Sequence, residues 1–397
     1  MKQINYFLKQ VSIFLSICSL LFFGSCDHEP THFEKVKVLE EARIQNEVKK
    51  YLDLEPITVT AEVSERSAGN KNDFYSEGDY WWPNPEDPDG SYIQKDGLTN
   101  PDNFVAHRRF MIRLSRISGS LASAYLITKD KTFINQLIPH LKAWFVNPST
   151  MMNPHLLYAQ AIKGRETGRG IGIIDTIHLI EVSLAIKVVE DSGVMNKEEL
   201  NEIKAWFSQY LNWLTNHEYG KKERDNGNNH STCWAMQVAA FARLVDNQKQ
   251  LNFCKYMFKT DLLPNQMAKD GSFPKELART KPYGYSLFNL DAMAGLAQLL
   301  SDKEENFFQY NSTNSRNLEA GIEFIHEYVK DKTLWPYQKD VMYWNDWPTK
   351  HPFLLFGGLQ LNNEDYVNTW KKLPEIPNKS EILRNMPVRY PLLWVNK

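Results

Sequence analysis

Residues 108–145 read RRFMIRLSRISGSLASAYLITKDKTFINQLIPHLKAWF. Phe110, Leu114, Ile117, Leu121, Ala124 and Tyr125 recur at three- and four-residue spacing. After a short polar break Phe133, Leu137, Leu141, Trp144 and Phe145 repeat the pattern. That period puts the apolar side chains on one helical face, so the stretch predicts two amphipathic helices joined by a turn. The pattern returns in Ile177, Ile180, Leu184, Val188 and Val189. Asn196-x-x-Glu199 then reads as a capping box ahead of Leu200, Ile203, Trp206, Phe207, Tyr210, Trp213 and Leu214. Further amphipathic runs cover 234–246, 289–301, 315–330 and 364–373, and strand-like alternation is nearly absent. Helices of similar length joined by Gly, Pro and Asn loops argue for pairs stacked side by side. The expected fold is all-α: an (α/α)n toroid or barrel, incomplete or closed, with long aromatic-rich loops and a cleft on one rim.

Outward from this helical region the character changes. Residues 57–104 are dense in Gly, Pro, Asn, Asp and aromatics, including Asp79-Tyr80-Trp81-Trp82-Pro83-Asn84 and Asp96-Gly97-Leu98-Thr99-Asn100-Pro101. So long an irregular segment in a compact chain points to function. Residues 27–56 are charged and read as a tether followed by a helix over about 33–52. Before them, Lys2 and Lys9 precede the apolar run Val11–Phe23, which ends in Gly24-Ser25-Cys26. A basic start, an apolar stretch too short for a comfortable span and small residues before a cysteine predict a lipoprotein signal over 1–26, with Cys26 acylated. Plain secretory cleavage is the alternative. The expected chain is exported, lipid-anchored to the outer membrane or periplasmic, monomeric, in contact with membrane only through that anchor, and one domain from 57 to 397.

A formal net charge of −2 gives no global field toward nucleic acid, so nucleic acid is not an expected partner. An anionic ligand would need local cations, which cluster at Arg108–Arg116, at Lys163, Arg165 and Arg169, and at Lys275, Arg279 and Lys281. Aromatic residues make up 13% of the chain, enough to fill the core and also provide stacking platforms for sugar rings. Cys233 and Cys254 lack metal-type spacing, so zinc is not assigned and two buried thiols are expected.

Three stretches carry potential chemistry. In Asp225-Asn226-Gly227-Asn228-Asn229-His230-Ser231-Thr232, Ser231 and Thr232 can cap the following helix. Asn229 and His230 would then stand at its N-terminus, where an anion is favoured. In Glu276–Ser286 a tyrosine lies near Arg279 and Lys281, which stabilise a phenolate. In Tyr158–Gly172, glycines let Gln160, Arg165 and Arg169 approach a ligand closely. Together the set points toward uronic-acid chemistry. Removing the proton on C5 of a uronate requires neutralisation of the adjacent carboxylate, a base for H5 and an acid for the leaving O4.

The WWPNPxxPDG segment, Asp96-Gly97 with Asn100-Pro101, the Gln160–Gly170 loop, Asn228-Asn229-His230-Ser231 and Glu276-Leu277-Ala278-Arg279 together resemble the alginate-lyase superfamily of helical toroid polysaccharide lyases. The likeness is closer to polysaccharide lyase family 38 than to family 5 and spans roughly residues 75–345. It implies that Asn229, His230 and Arg279 neutralise the carboxylate of an anionic uronic acid polysaccharide, alginate or glucuronan. It also implies that a tyrosine after Arg279 is both base and acid. Family 5 places that tyrosine seven residues after the arginine, where this chain has Ser286. Tyr285 takes the role here, with Tyr283 as rival. Trp81, Trp82, Gln160, Arg165, Arg169 and Tyr283 would line the cleft, and no metal or cofactor is called for. Two other functions remain open at this point: a glycan-binding lipoprotein that cleaves nothing, and a toroid glycoside hydrolase using two carboxylates among Asp79, Glu166 and Asp175.

Overall fold

The computed structural model describes residues 29–395. The predicted signal segment and its Cys26 lie outside the described residues.

Among the described residues, eleven helices of eight or more residues form the body: α1 (His32–Val48), α2 (Ala106–Thr128), α3 (Thr132–Phe145), α4 (Leu179–Ser192), α5 (Lys197–Asn216), α6 (Asn229–Leu244), α7 (Gln248–Met257), α8 (Pro282–Leu300), α9 (Leu318–Lys330), α10 (Pro352–Gln360) and α11 (Glu364–Lys372). Their neighbours divide them into two layers. The inner layer runs α2, α4, α6, α8, α10, each packed on the next. Helices α3, α5, α7, α9 and α11 pack outside it, and α1 lies against α2. The side chains show why. Helix α6 buries nearly every residue from Ser231 to Ala242, and α8 buries Ser286 through Leu300, so neither has a solvated face. Helices apolar on all sides belong inside. Helix α5 instead buries only Leu200, Ile203, Trp206, Phe207, Tyr210, Leu211 and Leu214, the stripe expected of an outer helix.

This is the α/α toroid read from the sequence, in its incomplete form rather than as a closed barrel. A late segment ties the inner helices together. The short C-terminal helix Pro391–Val395 packs on α1, α2, α4 and α8, and the Trp394 ring lies 6.0 Å from Phe356 of α10. Glu181 of α4 anchors it, its Oε1 accepting from the backbone N–H of Arg389 and Tyr390 at 2.7 Å each and from Trp394 Nε1 at 3.2 Å.

Several local expectations are corrected. Helix α6 starts at Asn229, capped by Asn228, whose side chain accepts the His230 N–H; Ser231 already lies inside the helix, with its hydroxyl accepting from Gly227 N–H. Asn196 caps α5 as expected through the Glu198 N–H, but Glu199 does not close a capping box: it pairs with Lys142 of α3 at 2.5 Å. Helices α7 and α10 are additional to those expected, although Asn247 caps the first and Pro352 opens the second. Strands also occur, in short pairs. Strand β1 (Tyr75–Glu77) pairs in parallel with β4 (Tyr158–Ala161), and β2 (Trp81–Trp82) pairs antiparallel with β3 (Ile93–Gln94). Cys233 and Cys254 are buried free thiols.

Truncating Glu181 leaves three buried donors and Arg389 without their acceptor. Glu181→Ala is expected to cost about 3–5 kcal/mol of folding stability, read from the urea midpoint.

Candidate active site

A cleft of about 380 Å³ opens where the starts of α6 and α8 meet the long loop of residues 78–103. Asn229, His230, Arg279 and Tyr285 all line it, together with Trp81, Gln160 and Arg169.

Each donor is held from behind. The α6 N-terminus does bind a carboxylate, as its sequence suggests, but the carboxylate belongs to the protein. Glu276 accepts from Asn229 N–H and from Asn229 Nδ2, both at 2.8 Å. The Asn229 amide is therefore clamped in one orientation, and burial raises the Glu276 pKa above its ordinary value. His230 Nδ1 lies 2.7 Å from Glu223, whose side chain is fully buried. Burial lowers the His230 pKa and Glu223 raises it; Glu223 prevails, so the ring is held above the ordinary imidazole value. Its Nδ1–H is committed to Glu223, which leaves Nε2–H as the other donor.

Arg279 Nη2 donates to Asp96 at 2.7 Å and to the Tyr285 hydroxyl at 3.0 Å, with the guanidinium 4.2 Å from the Tyr285 ring centroid. Asp96 also accepts from the Thr280 hydroxyl at 2.9 Å, so it latches the long loop onto the Arg279 segment. The expected drop in the tyrosine pKa is not what the structure gives. Burial, followed by neighbouring Tyr80, pushes the Tyr285 hydroxyl well above its ordinary value, and Arg279 and Arg384 only partly oppose them.

Tyr80, unassigned from the sequence, lies with its hydroxyl 2.7 Å from that of Tyr285 and accepts from Arg384 at 3.2 Å. Arg384, also missed, comes from a late segment with no recognisable motif. It pairs with Asp79 and with Glu381. No local pattern could have placed it in the cleft, whereas Tyr80 sat in the quoted aromatic motif and was passed over for its tryptophans.

Gln160 adopts a left-handed backbone, φ 50°, at the end of β4, a conformation rare outside Gly, Asn and Asp. Its Nε2 donates to Asp175 at 3.2 Å and its backbone carbonyl accepts from Arg169 Nε at 2.8 Å. Arg169 and Arg165 both stand over the Trp81 ring, at 5.8 and 5.2 Å.

Three assigned residues are not at the cleft. Trp82 alternates to the other face of β2, where its Nε1 donates to the Leu98 carbonyl at 2.9 Å. Arg165 is exposed and bonds the Tyr92 carbonyl, bracing the loop. Tyr283, the rival base, is fully buried between Trp335 and Trp344 and donates to the Tyr328 carbonyl. It is a core residue: two positions along a helix turn the side chain by about 200°, which carries Tyr285 into the cleft and Tyr283 away from it.

The hydrolase pair fails on geometry and charge. Asp79 is bonded by Arg108 at 2.6 Å and by Arg384, which hold its carboxyl well below the usual range. Asp175 also accepts from Arg108, and Glu166 is exposed outside the cleft.

Residues 58–335 match the family model described as alginate lyase. The chain belongs to the alginate lyase family. It is a polysaccharide lyase acting on uronic acid polymers. An alginate lyase from Bacteroides ovatus superposes with a TM-score of 0.77 at 28% identity, over 91% of this chain and 97% of that one. Alginate lyase A1-III from Sphingomonas species A1 superposes with a TM-score of 0.56 at 13% identity, over 91% and 95%. Alginate lyase A1-III complexed with tetrasaccharide gives 0.59 at 12%, over 90% and 93%. At such identities the A1-III likeness concerns the fold. Among proteins with curated descriptions, none matches this lyase by sequence.

Replacing Glu223 by Gln removes the main influence raising His230 and leaves burial, which lowers it, opposed only by Glu276. The NMR titration midpoint of His230 is expected to move to lower pH in Glu223→Gln, and the KM for an anionic polymer to rise above neutral pH.

Proposed function

We propose that this lyase cleaves 4-O-linked uronans of the alginate or glucuronan type by β-elimination at Tyr285. The observation carrying the reading is the convergence of Asn229, His230, Arg279 and Tyr285 on one cleft, with the guanidinium bonded to the phenol. The substrate carboxylate sits among the Asn229 amide, the His230 imidazolium and the Arg279 guanidinium, which stabilise the charge spreading onto it as H5 leaves. Arg279 releases part of its hold on Asp96 to meet it. Tyr285 acts from the minor fraction that is ionised, with Arg279 N–H and the Tyr80 O–H donating to its oxygen; its raised pKa makes that phenolate a strong base, which takes H5 and returns the proton to the leaving O4. One phenol does both when H5 and O4 share a ring face, as in mannuronate and glucuronate. In guluronate they lie on opposite faces, and His230 shares the work with Tyr285.

The assay is the ultraviolet absorbance of a 4,5-unsaturated uronate, followed with polymannuronate, polyguluronate and glucuronan. Tyr285→Phe should abolish the signal on every polymer while polymer binding persists; turnover by that variant at the parent rate would end the assignment.

We also propose that the chain is exported and is acylated at Cys26, on the strength of the basic start, apolar run and small residues before that cysteine. Expressed with its leader, the protein should partition into detergent and Cys26→Ser should move it to the aqueous phase.

A further inference from the structure

Arg279 and Tyr285 are separated by five residues, and the reaction requires their two groups at a fixed separation. A distant segment holds the backbone between them. The Gln338 amide donates to the Arg279 carbonyl at 2.9 Å, and the Val341 N–H donates to the Thr280 carbonyl at 3.1 Å. Asp340 accepts the N–H of Tyr283 at one oxygen and that of Gly284 at the other, both at 2.9 Å. These amides belong to the first turn of α8, whose cap residue Lys281 makes no side-chain capping bond of its own, its ammonium being paired with Glu381 at 2.6 Å. The missing cap is thus supplied from 56 residues away in sequence. Gly284 permits the approach: a Cβ there would lie 2.9 Å from the Asp340 carboxylate. The segment is itself pinned, since Tyr283 packs between Trp335 and Trp344 and Lys332 donates to the carbonyls of Trp344 and Trp347. The family match ends at residue 335, so the 338–341 segment lies beyond it while its partners lie within.

The geometry points to residues 338–341 as a splint that sets the spacing between the carboxylate-neutralising Arg279 and the base Tyr285, with Asp340 as its positioning residue. The inference rests on Tyr285 being the base. Asp340 touches neither substrate nor cleft; it acts through the two amides that start the helix bearing the phenol. Burial pushes its carboxyl up to about 6, opposed by the Gly284 and Tyr283 amides, then by Lys281 and Lys332, the charged groups that face it. Protonation in mild acid turns one acceptor oxygen into a hydroxyl and frees one amide.

The test uses the full chain and two substitutions. Asp340→Asn keeps one acceptor and sets an NH2 against the other amide. Gln338→Ala removes an exposed side chain with little threat to folding. Asp340→Asn is expected to lower kcat on the order of 10²-fold with KM nearly unchanged, and to abolish an acid limb of kcat centred near pH 6. Gln338→Ala should lower kcat several-fold at an unchanged melting temperature. Parent kcat in both variants would overturn the splint, as would losses in Asp340→Asn that track a lowered melting temperature while Gln338→Ala keeps parent kcat. Tyr285→Phe is run alongside: if it retains activity the base assignment fails, whereas an inactive Tyr285→Phe beside fully active Asp340→Asn and Gln338→Ala sinks the splint alone.

Discussion

Carboxylates, buried except for the half-buried Asp96, stand behind the groups that would receive a substrate's negative charge, and the cleft depends on this arrangement. Glu223 holds His230, Glu276 holds Asn229, Asp96 holds Arg279, and Asp79 sits between Arg108 and Arg384. An unpaired cation or amide in so buried a place would cost several kcal/mol. Pairing removes that cost and leaves each donor oriented, so little reorganisation remains when a uronate enters. The arrangement also explains why so polar a cleft survives inside an apolar double layer of helices: its charges balance locally, while the chain as a whole carries a formal net charge of only −2.

Apart from Glu223 and His230, seven residues apart, the partners in these pairs come from far along the chain. Asp79 and Asp96 belong to the aromatic-rich loop before α2, Glu223 to the short helix Glu218–Arg224 before α6, Glu276 to the segment before α8, and Arg384 to the last stretch of the chain. The toroid makes this possible. Because the inner helices stand side by side, the loops of one rim share a mouth, and a residue at the start of one helix can be answered by a loop that crosses from another. Asn100 and Asn103 hold the first of these loops in shape, donating to the carbonyls of Trp81 and Gly78.

Much of the site was readable before any coordinates. The Asn229-His230 pair, Arg279 and Tyr285 were legible because each lay next to a helix signal, and helical periodicity is a local property. Choosing Tyr285 over Tyr283 was within reach of the sequence only as an alternative, since which face of α8 meets the cleft depends on how the helix packs. Trp82 and Arg165 were misplaced for the same reason: adjacent strand residues point to opposite faces, and no local signal says which face is inward. Tyr80 and Arg384 were missed altogether. One was overshadowed by its tryptophan neighbours, and the other sits in a stretch that carries no pattern.

The sequence by itself determined the helical architecture, the division into helix-rich and loop-rich regions and the chemical type of the groups at the cleft, because periodicity, capping residues and functional-group chemistry act over a few residues. Tertiary structure alone decided which carboxylate stands behind which donor, how the tyrosine hydroxyl is tuned, and that a segment near the end of the chain caps the helix carrying it. Those outcomes depend on desolvation and on contacts between residues tens to hundreds of positions apart, and such energies exist only once the chain has packed.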